Sequence, residues 1–169
     1  LAVAYCSEGV FLRKSGVKIP ILVMHPQTGD FKEIIDFNLE PSIYSFRILN
    51  SFFEALKTDS EYPFQIKFNT GLNRLGFSED EITKLVKSLN GKHPKFIFSH
   101  LGASDEKDKG LTNCQIKKFF SISDEFDLRM KKVTKKHLLN TSGILNFPDY
   151  QFDMVRSGIG LYGFGNDER

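Results

Sequence analysis

Two short runs of small residues near the end of the chain have the composition of a phosphate-binding site. Asn140 to Gly143 has the sequence NTSG, and Ser157 to Gly160 has the sequence SGIG. Free backbone N–H groups in such turns, together with Ser and Thr hydroxyls, can cradle a phosphate. Residues of these types also build ordinary turns. Because two such runs follow consecutive apolar segments, we favour phosphate binding.

A lysine inside an apolar strand is the second feature that needs a chemical reason. The stretch Ile66 to Phe77 has the sequence IKFNTGLNRLGF, and its alternation places Lys67 on the face opposite its apolar neighbours. We therefore expect Lys67 to be buried or to face the lumen of a barrel. The strand is expected to end at Thr70 to Gly71, and Arg74 lies just beyond this end.

The elements that must position these residues alternate between strand and helix. Seven strands are expected, at Leu1 to Ala4, Lys18 to Met24, Leu39 to Tyr44, Phe64 to Asn69, Lys95 to Ser99, Lys136 to Leu139 and Asp153 to Arg156. Six helices separate them, among them one from Ser45 to about Lys57 and one from Ser78, with a capping box to Glu81, to Asn90. Strict alternation of this kind indicates a parallel sheet.

Two α/β architectures fit a parallel sheet of this length. One is an open doubly wound sheet, and the other is a (β/α)8 TIM-type barrel that lacks one strand. The first strand is not followed by a GxGxxG fingerprint, which weakens the dinucleotide-binding form of the open sheet. Polar residues recur at the carboxyl ends of several strands, where a barrel keeps its active site, so the pattern favours the barrel.

Composition excludes several classes of partner. The 23 basic and 21 acidic residues are spread along the chain, so we expect neither a nucleic acid nor a membrane as partner. Cys6 and Cys114 are isolated, which fits a reducing cytoplasm. No apolar run approaches the roughly 18 to 20 residues of a membrane span, and no signal peptide is apparent.

Four motifs in order carry a resemblance to a known family: IKFNTGLNRLGF, FSHLGASDE, HLLNTSG and DMVRSGIGLYG. Together they resemble the N-terminal barrel of alanine racemase, a fold-type III enzyme that uses pyridoxal 5'-phosphate (PLP), and the resemblance covers essentially the whole chain. It implies a homodimeric cytoplasmic isomerase that interconverts L- and D-alanine and supplies D-alanine for peptidoglycan of the cell wall. The SIYSFR and FSHLGASDE motifs are closest to racemases fused behind a cell-wall ligase domain.

The resemblance also implies that the chain is a fragment. In the family, the first barrel strand carries the Schiff-base lysine, and a C-terminal β domain supplies a tyrosine base. Neither matches a segment of this sequence. We therefore expect residues 1–163 to be strands two to eight of the barrel, residues 164–169 to begin a linker, and the chain alone to be inactive.

The family pattern assigns roles to residues of the last two strands and of the FSH motif. It implies that Arg156 faces the pyridine nitrogen of PLP and that His100 holds this arginine and the ring in place. It further implies that Asn140, Thr141 and the N–H groups of Gly158 and Ile159 bind the phosphate. The other histidines, which are His25, His93 and His137, are interpreted as structural.

The family resemblance also implies roles for Lys67 and Arg74. The resemblance implies that Arg74 reaches the PLP phenolic oxygen and the substrate carboxylate. It implies that Lys67 can be carbamylated, which makes it an anion that orients Arg74 instead of repelling it. Asn69 departs from the family pattern, which usually has Asp there.

Other functions remain open at this point. Another fold-type III enzyme, either a broad-specificity racemase or a basic amino-acid decarboxylase, would share the barrel and the cofactor. A single-domain PLP-binding barrel without catalysis, or a scaffold domain, would share the fold alone.

Overall fold

The computed structural model describes residues 1–56 and 61–165. The chain divides into two compact units, residues 1–67 and residues 68–169. The predicted end of a helix at about Lys57 and the predicted linker residues 166–169 lie outside the described residues.

Unit 1 alternates between strand and helix, as the sequence predicts. Its elements are β1 (Ala2–Val3), α1 (Cys6–Lys14), β2 (Leu22–Val23), α2 (Phe31–Asp36), β3 (Glu40–Ile43), α3 (Phe46–Ala55) and β4 (Gln65–Lys67). Each strand pairs in parallel with the next one along the chain. The strands are shorter than predicted, although backbone hydrogen bonds continue beyond them: the Met24 N–H donates to the Val3 carbonyl and the His25 N–H to the Ala4 carbonyl, both at 2.9 Å.

The register of β3 and β4 explains the buried lysine. Ser42 is opposite Gln65, and Ile43 is opposite Ile66, so alternate residues of both strands share a face. Ile43 and Ile66 are fully buried on the apolar face. The other face is polar yet also buried, and the Gln65 amide donates to the Glu40 carboxylate there at 3.0 Å. Lys67 belongs to this polar face and is 4% exposed, which confirms the predicted burial.

Unit 2 continues the same alternation. It contains a 3-10 turn (Glu79–Glu81), α4 (Ile82–Leu89), β5 (Phe96–Phe98), α5 (Gly110–Met130), β6 (Lys135–His137), α6 (Thr141–Asn146) and two further 3-10 turns (Pro148–Tyr150 and Ile159–Tyr162). Strands β5 and β6 pair in parallel, with Phe98 opposite His137. The predicted capping box is confirmed, since the Ser78 N–H donates to the Glu81 carboxylate at 2.8 Å.

The last predicted strand, Asp153 to Arg156, differs from the prediction. It forms only an isolated bridge between Met154 and His137. The Asp153 carboxylate accepts the Lys136 N–H at 2.8 Å, so a side chain replaces a backbone carbonyl at this rung of the ladder. The Arg156 N–H still donates to the Leu139 carbonyl at 2.9 Å, which fixes the backbone of Arg156 beside the end of β6.

Among the described residues, no helix has both the length and the apolar composition that crossing a membrane would need.

Candidate active site

Arg156 is the centre of a hydrogen-bonded cluster in unit 2. One terminal nitrogen of its guanidinium, Nη2, donates to the Ser99 carbonyl at 2.7 Å and to the Leu138 carbonyl at 2.9 Å. Nη2 also lies 3.3 Å from Nδ1 of His100, and Nη1 bonds Nδ1 of His137. The guanidinium is therefore fixed from the ends of both β5 and β6.

The contact with Nη1 determines the state of His137. A guanidinium has only donors, so the His137 imidazole accepts at Nδ1, and in its neutral form it carries the proton on Nε2. Both hydrogens of Nη2 are directed at the Ser99 and Leu138 carbonyls, so the His100 Nδ1 is a third, more distant neighbour of Nη2. The structure brings His100 and Arg156 together, with 3.3 Å between the His100 Nδ1 and the Arg156 Nη2. The role predicted for His100, which is to hold the arginine in place, stays a prediction.

His137, which the sequence interpretation left as structural, is a second partner of Arg156. Its ring is fully buried and stacks on Phe98 with centroids 4.5 Å apart. Burial, together with the nearby charge of Arg156, holds the pKa of His137 well below 6.5. His137 is therefore a neutral acceptor for Arg156 at physiological pH. The sequence feature that could have drawn attention to His137 is its position at the start of HLLNTSG, shortly before a predicted phosphate-binding turn.

Arg156 stays positively charged although its guanidinium is removed from water. The residue as a whole is half-buried, whereas its guanidinium is enclosed by the carbonyls and rings of β5 and β6. The Phe98 ring centroid lies 5.4 Å from the Arg156 Cζ. Removal from water lowers the pKa of Arg156 to about 10. The guanidinium consequently remains a cation at neutral pH.

The two runs of small residues come together at the hydroxyl of Thr141. The Gly158 N–H donates to this oxygen at 3.0 Å and the Gly160 N–H donates to it at 3.2 Å. A Cβ added to Gly160 would lie 2.8 Å from the Thr141 methyl group, so the loop needs glycine there. Ile159, between the two glycines, is 61% exposed. The backbone from Gly158 to Gly160 is therefore held against the first residue of α6.

The side-chain oxygen of Asn140 is occupied by structural bonds. This oxygen accepts the Gly143 N–H at 3.0 Å and thereby caps α6. It also accepts from the Ser104 hydroxyl at 2.8 Å. Asn140 therefore fixes the start of α6, on which Thr141 stands.

Arg74 lies on a tight turn apart from these contacts. The Asn69 side-chain oxygen accepts the N–H groups of Gly71 at 3.1 Å and of Asn73 at 3.0 Å, which folds the turn. A Cβ on Gly76, whose φ is +127°, would lie 2.6 Å from the Phe68 backbone. Arg74 is exposed, and it forms no hydrogen bond or ion pair with residues 1–56 or 61–165. Lys67 belongs to unit 1, where it ends β4.

The chain matches known proteins over nearly its whole length. The model of the alanine racemase N-terminal domain matches residues 1–165. The alanine racemase of Clostridium tetani is 33% identical over 97% of the chain, and that of Dinoroseobacter shibae is 37% identical over 95%. The chain spans 44% of the length of each of these two relatives.

A solved structure extends the agreement to the fold. The alanine racemase of Clostridium difficile 630 superposes with a TM-score of 0.91 at 27% identity, over 99% of this chain and 45% of that one. This match confirms the predicted class, an α/β barrel of the TIM type present in part. The chain belongs to the alanine racemase N-terminal domain family.

Proposed function

We propose that the protein containing this chain interconverts L- and D-alanine with PLP as its cofactor. Residues 1–163 are the proposed PLP-binding domain, and residues from 164 onward begin the proposed linker. Membership of the family supports this reaction. Because the chain spans less than half the length of its relatives, the activity is proposed for the whole protein.

The observation that carries the proposal is the unused donor capacity of Arg156. A guanidinium has five N–H donors. One N–H of Nη1 bonds His137, and the two of Nη2 donate to the Ser99 and Leu138 carbonyls. Nε–H and the second N–H of Nη1 have no acceptor in the part of the chain that the structure describes. A fixed, half-buried arginine with two unused donors fits a ring nitrogen of a bound cofactor.

The charge of Arg156 suits racemisation in particular. Bound PLP supplies an electron-withdrawing ring that makes the Cα proton of an amino acid removable. Arg156 stays protonated at neutral pH, so it donates a hydrogen bond to the ring nitrogen and keeps a proton off it. This limits how far negative charge spreads from Cα, which favours return of the proton to the same carbon.

The loop held by Thr141 fits the phosphate of the cofactor. Its hydroxyl oxygen already accepts two backbone N–H groups, which leaves the hydroxyl hydrogen free to donate to an anion. We assign Thr141, Asn140 and the N–H groups of Gly158 and Ile159 to phosphate binding. The Gly158 N–H donates to the Thr141 hydroxyl in this structure, so it would exchange that bond for one to the phosphate. Asn140 contributes by fixing the turn on which Thr141 stands.

Two residues complete the proposed site. Arg74, which has no partner among the described residues, is assigned to the substrate carboxylate, for which its fork of donors is suited. Lys67 is assigned to the support of Arg74 in its carbamylated form. The bases that move the Cα proton are the family's lysine and tyrosine, which match no residue of this sequence. The residues of this chain therefore bind and orient.

The wider setting is proposed on the same basis. D-alanine made by the enzyme would supply peptidoglycan synthesis in the cytoplasm, and the active form would be a homodimer. Both cysteines, Cys6 and Cys114, are free thiols, which supports a reducing compartment.

The experiment is a chiral analysis of alanine after incubation of the full-length protein with PLP and L-alanine. We expect D-alanine to accumulate until the two enantiomers are equal. Release of carbon dioxide from ornithine or lysine would instead assign the protein to the decarboxylases. Equal turnover of bulky amino acids would identify a broad-specificity racemase, and PLP binding without turnover would identify a non-catalytic barrel.

A further inference from the structure

A buried glutamine on α5 joins two segments that carry proposed site residues. The Gln115 side chain is 1% exposed. Its amide oxygen accepts the Gly102 N–H at 2.9 Å, and its amide nitrogen donates to the His100 carbonyl at 3.2 Å. The same nitrogen lies 3.5 Å from the Thr70 hydroxyl. One amide therefore bonds both the segment after β5 and the turn that leads to Arg74.

The two segments that Gln115 bonds also contact each other and pack against its side chain. The Thr70 hydroxyl bonds the Ser99 hydroxyl at 2.8 Å, which links the same two segments a second time. A Cβ on Gly71 would lie 3.5 Å from the Gln115 Cγ, and one on Gly102 would lie 3.7 Å from its amide oxygen. Both are ordinary van der Waals distances, so the two segments lie in direct contact with the glutamine.

We propose that Gln115 is a positioning residue that fixes His100 and the Arg74 turn at a set spacing. The inference rests on the proposed function, in which Arg74 binds the substrate carboxylate and His100 holds Arg156 and the cofactor ring in place. Gln115 touches neither group and acts through the backbone of both segments. Since the Ser99 carbonyl also accepts from Arg156, the segment fixed by Gln115 includes one of the groups that hold the arginine.

The chemistry requires an amide of this length. The site needs one acceptor, for the Gly102 N–H, and donors for the His100 carbonyl and the Thr70 hydroxyl. A carboxylate of the same length has no donor, an apolar side chain has neither, and asparagine is one methylene shorter. Gln115→Met keeps the volume and removes all three bonds, whereas Gln115→Glu removes only the donors.

The test uses the full-length protein with hydrogen exchange of backbone amides as the first measurement. In Gln115→Met, we expect amides in residues 70–74 and 100–104 to exchange about tenfold faster or more, while those of β6 are unchanged. In Gln115→Glu, the Gly102 amide should stay protected while the His100 carbonyl loses its donor. The Thr70 hydroxyl can still donate to the carboxylate, so residues 70–74 should loosen less than in Gln115→Met. Ile122→Val, a buried truncation on the same helix, is the control for general loss of stability.

Cofactor and substrate binding are the second measurement. With PLP present, we expect Gln115→Met to raise the KM for alanine about tenfold, with a smaller fall in kcat, because the proposed carboxylate ligand is displaced. Ile122→Val should change neither value. If Gln115→Met does not fold, Thr70→Val, which removes the hydroxyl that contacts both Gln115 and Ser99, should loosen residues 70–74, and Ser99→Ala, which removes only the second of these contacts, should loosen them less.

Three results would overturn the inference. Unchanged exchange in both segments would refute the link itself. Faster exchange with an unchanged KM would refute its role in positioning. An equal change in Ile122→Val would assign the effect to helix stability. If the unsubstituted protein neither binds PLP nor racemises alanine, the proposed function fails, and exchange alone decides whether the link exists.

Discussion

Replacing His137 by phenylalanine removes one acceptor from Arg156 and keeps an aromatic ring against Phe98. The present rings stack with centroids 4.5 Å apart, and phenylalanine can retain that contact. A hydrogen bond to a charged group contributes about 1.5–3 kcal/mol. Arg156 keeps its bonds to the Ser99 and Leu138 carbonyls, so only one such bond is lost. At about pH 7.5 we expect the free energy of unfolding to fall by about 1.5–3 kcal/mol.

The pH dependence of this difference follows from the lowered pKa of His137, which burial and the charge of Arg156 hold well below 6.5. In the unfolded chain the pKa returns to about 6.5. Below about pH 6.5, the unfolded state therefore binds one proton more than the folded state, and stability falls by about 1.4 kcal/mol per pH unit. From about pH 7.5 to about pH 5, the wild-type protein should lose stability that His137→Phe does not lose, up to about 2 kcal/mol when the folded-state imidazole stays neutral over this range.

The assay is urea unfolding of the full-length wild-type and His137→Phe proteins at several pH values, followed by circular dichroism. Other histidines titrate in both proteins, so their contributions cancel in the difference. We expect the wild type to be more stable at about pH 7.5 and the advantage to vanish near pH 5. A difference that does not change with pH, or a variant as stable as wild type at about pH 7.5, would refute the assignment of His137 as a neutral acceptor.

Three further predictions concern other parts of the chain. Gly160→Ala should weaken PLP binding about tenfold in equilibrium dialysis, because the added Cβ would lie 2.8 Å from the methyl group of the threonine that holds the loop; alanine at the open Gly29 is the control. Ser78→Ala keeps the Ser78 N–H bond to Glu81 but removes the hydroxyl half of the capping box, so it should lower the free energy of unfolding by about 0.5–2 kcal/mol. Ser88→Ala, which removes a hydroxyl bond to the Lys84 carbonyl inside α4, should lower it by less than about 0.5 kcal/mol. In labelled bicarbonate, 13C NMR should detect a carbamate that Lys67→Ala removes; an identical spectrum from the variant would refute carbamylation.

Much of the architecture was predictable because it depends on local pattern. The alternation of strand and helix, the capping box of Ser78 and the burial of Lys67 each follow from spacing within a few residues. The contact between His100 and Arg156 followed from the family motifs. Their separation of 56 positions makes it invisible to local pattern alone.

The parts that could not be predicted depend on contacts across the sheet. His137 meets Arg156 because β5 and β6 pair with Phe98 opposite His137, a register that no local motif specifies. The final strand is reduced to a bridge because the Asp153 carboxylate bonds a backbone N–H of β6. Gln115 lies in the middle of a long helix, where only the folded structure reveals its partners.

The charge of Arg156 is tested most directly by the ratio of racemisation to transamination in Arg156→Glu. The measurement follows D-alanine and pyruvate formed from L-alanine by the full-length protein with PLP. Arg129→Glu, which makes the same charge change at the exposed end of α5, is the control. Loss of a positioned charged donor should lower racemisation by about 100-fold or more and produce measurable pyruvate. An unchanged racemase rate without pyruvate would contradict the role assigned to Arg156.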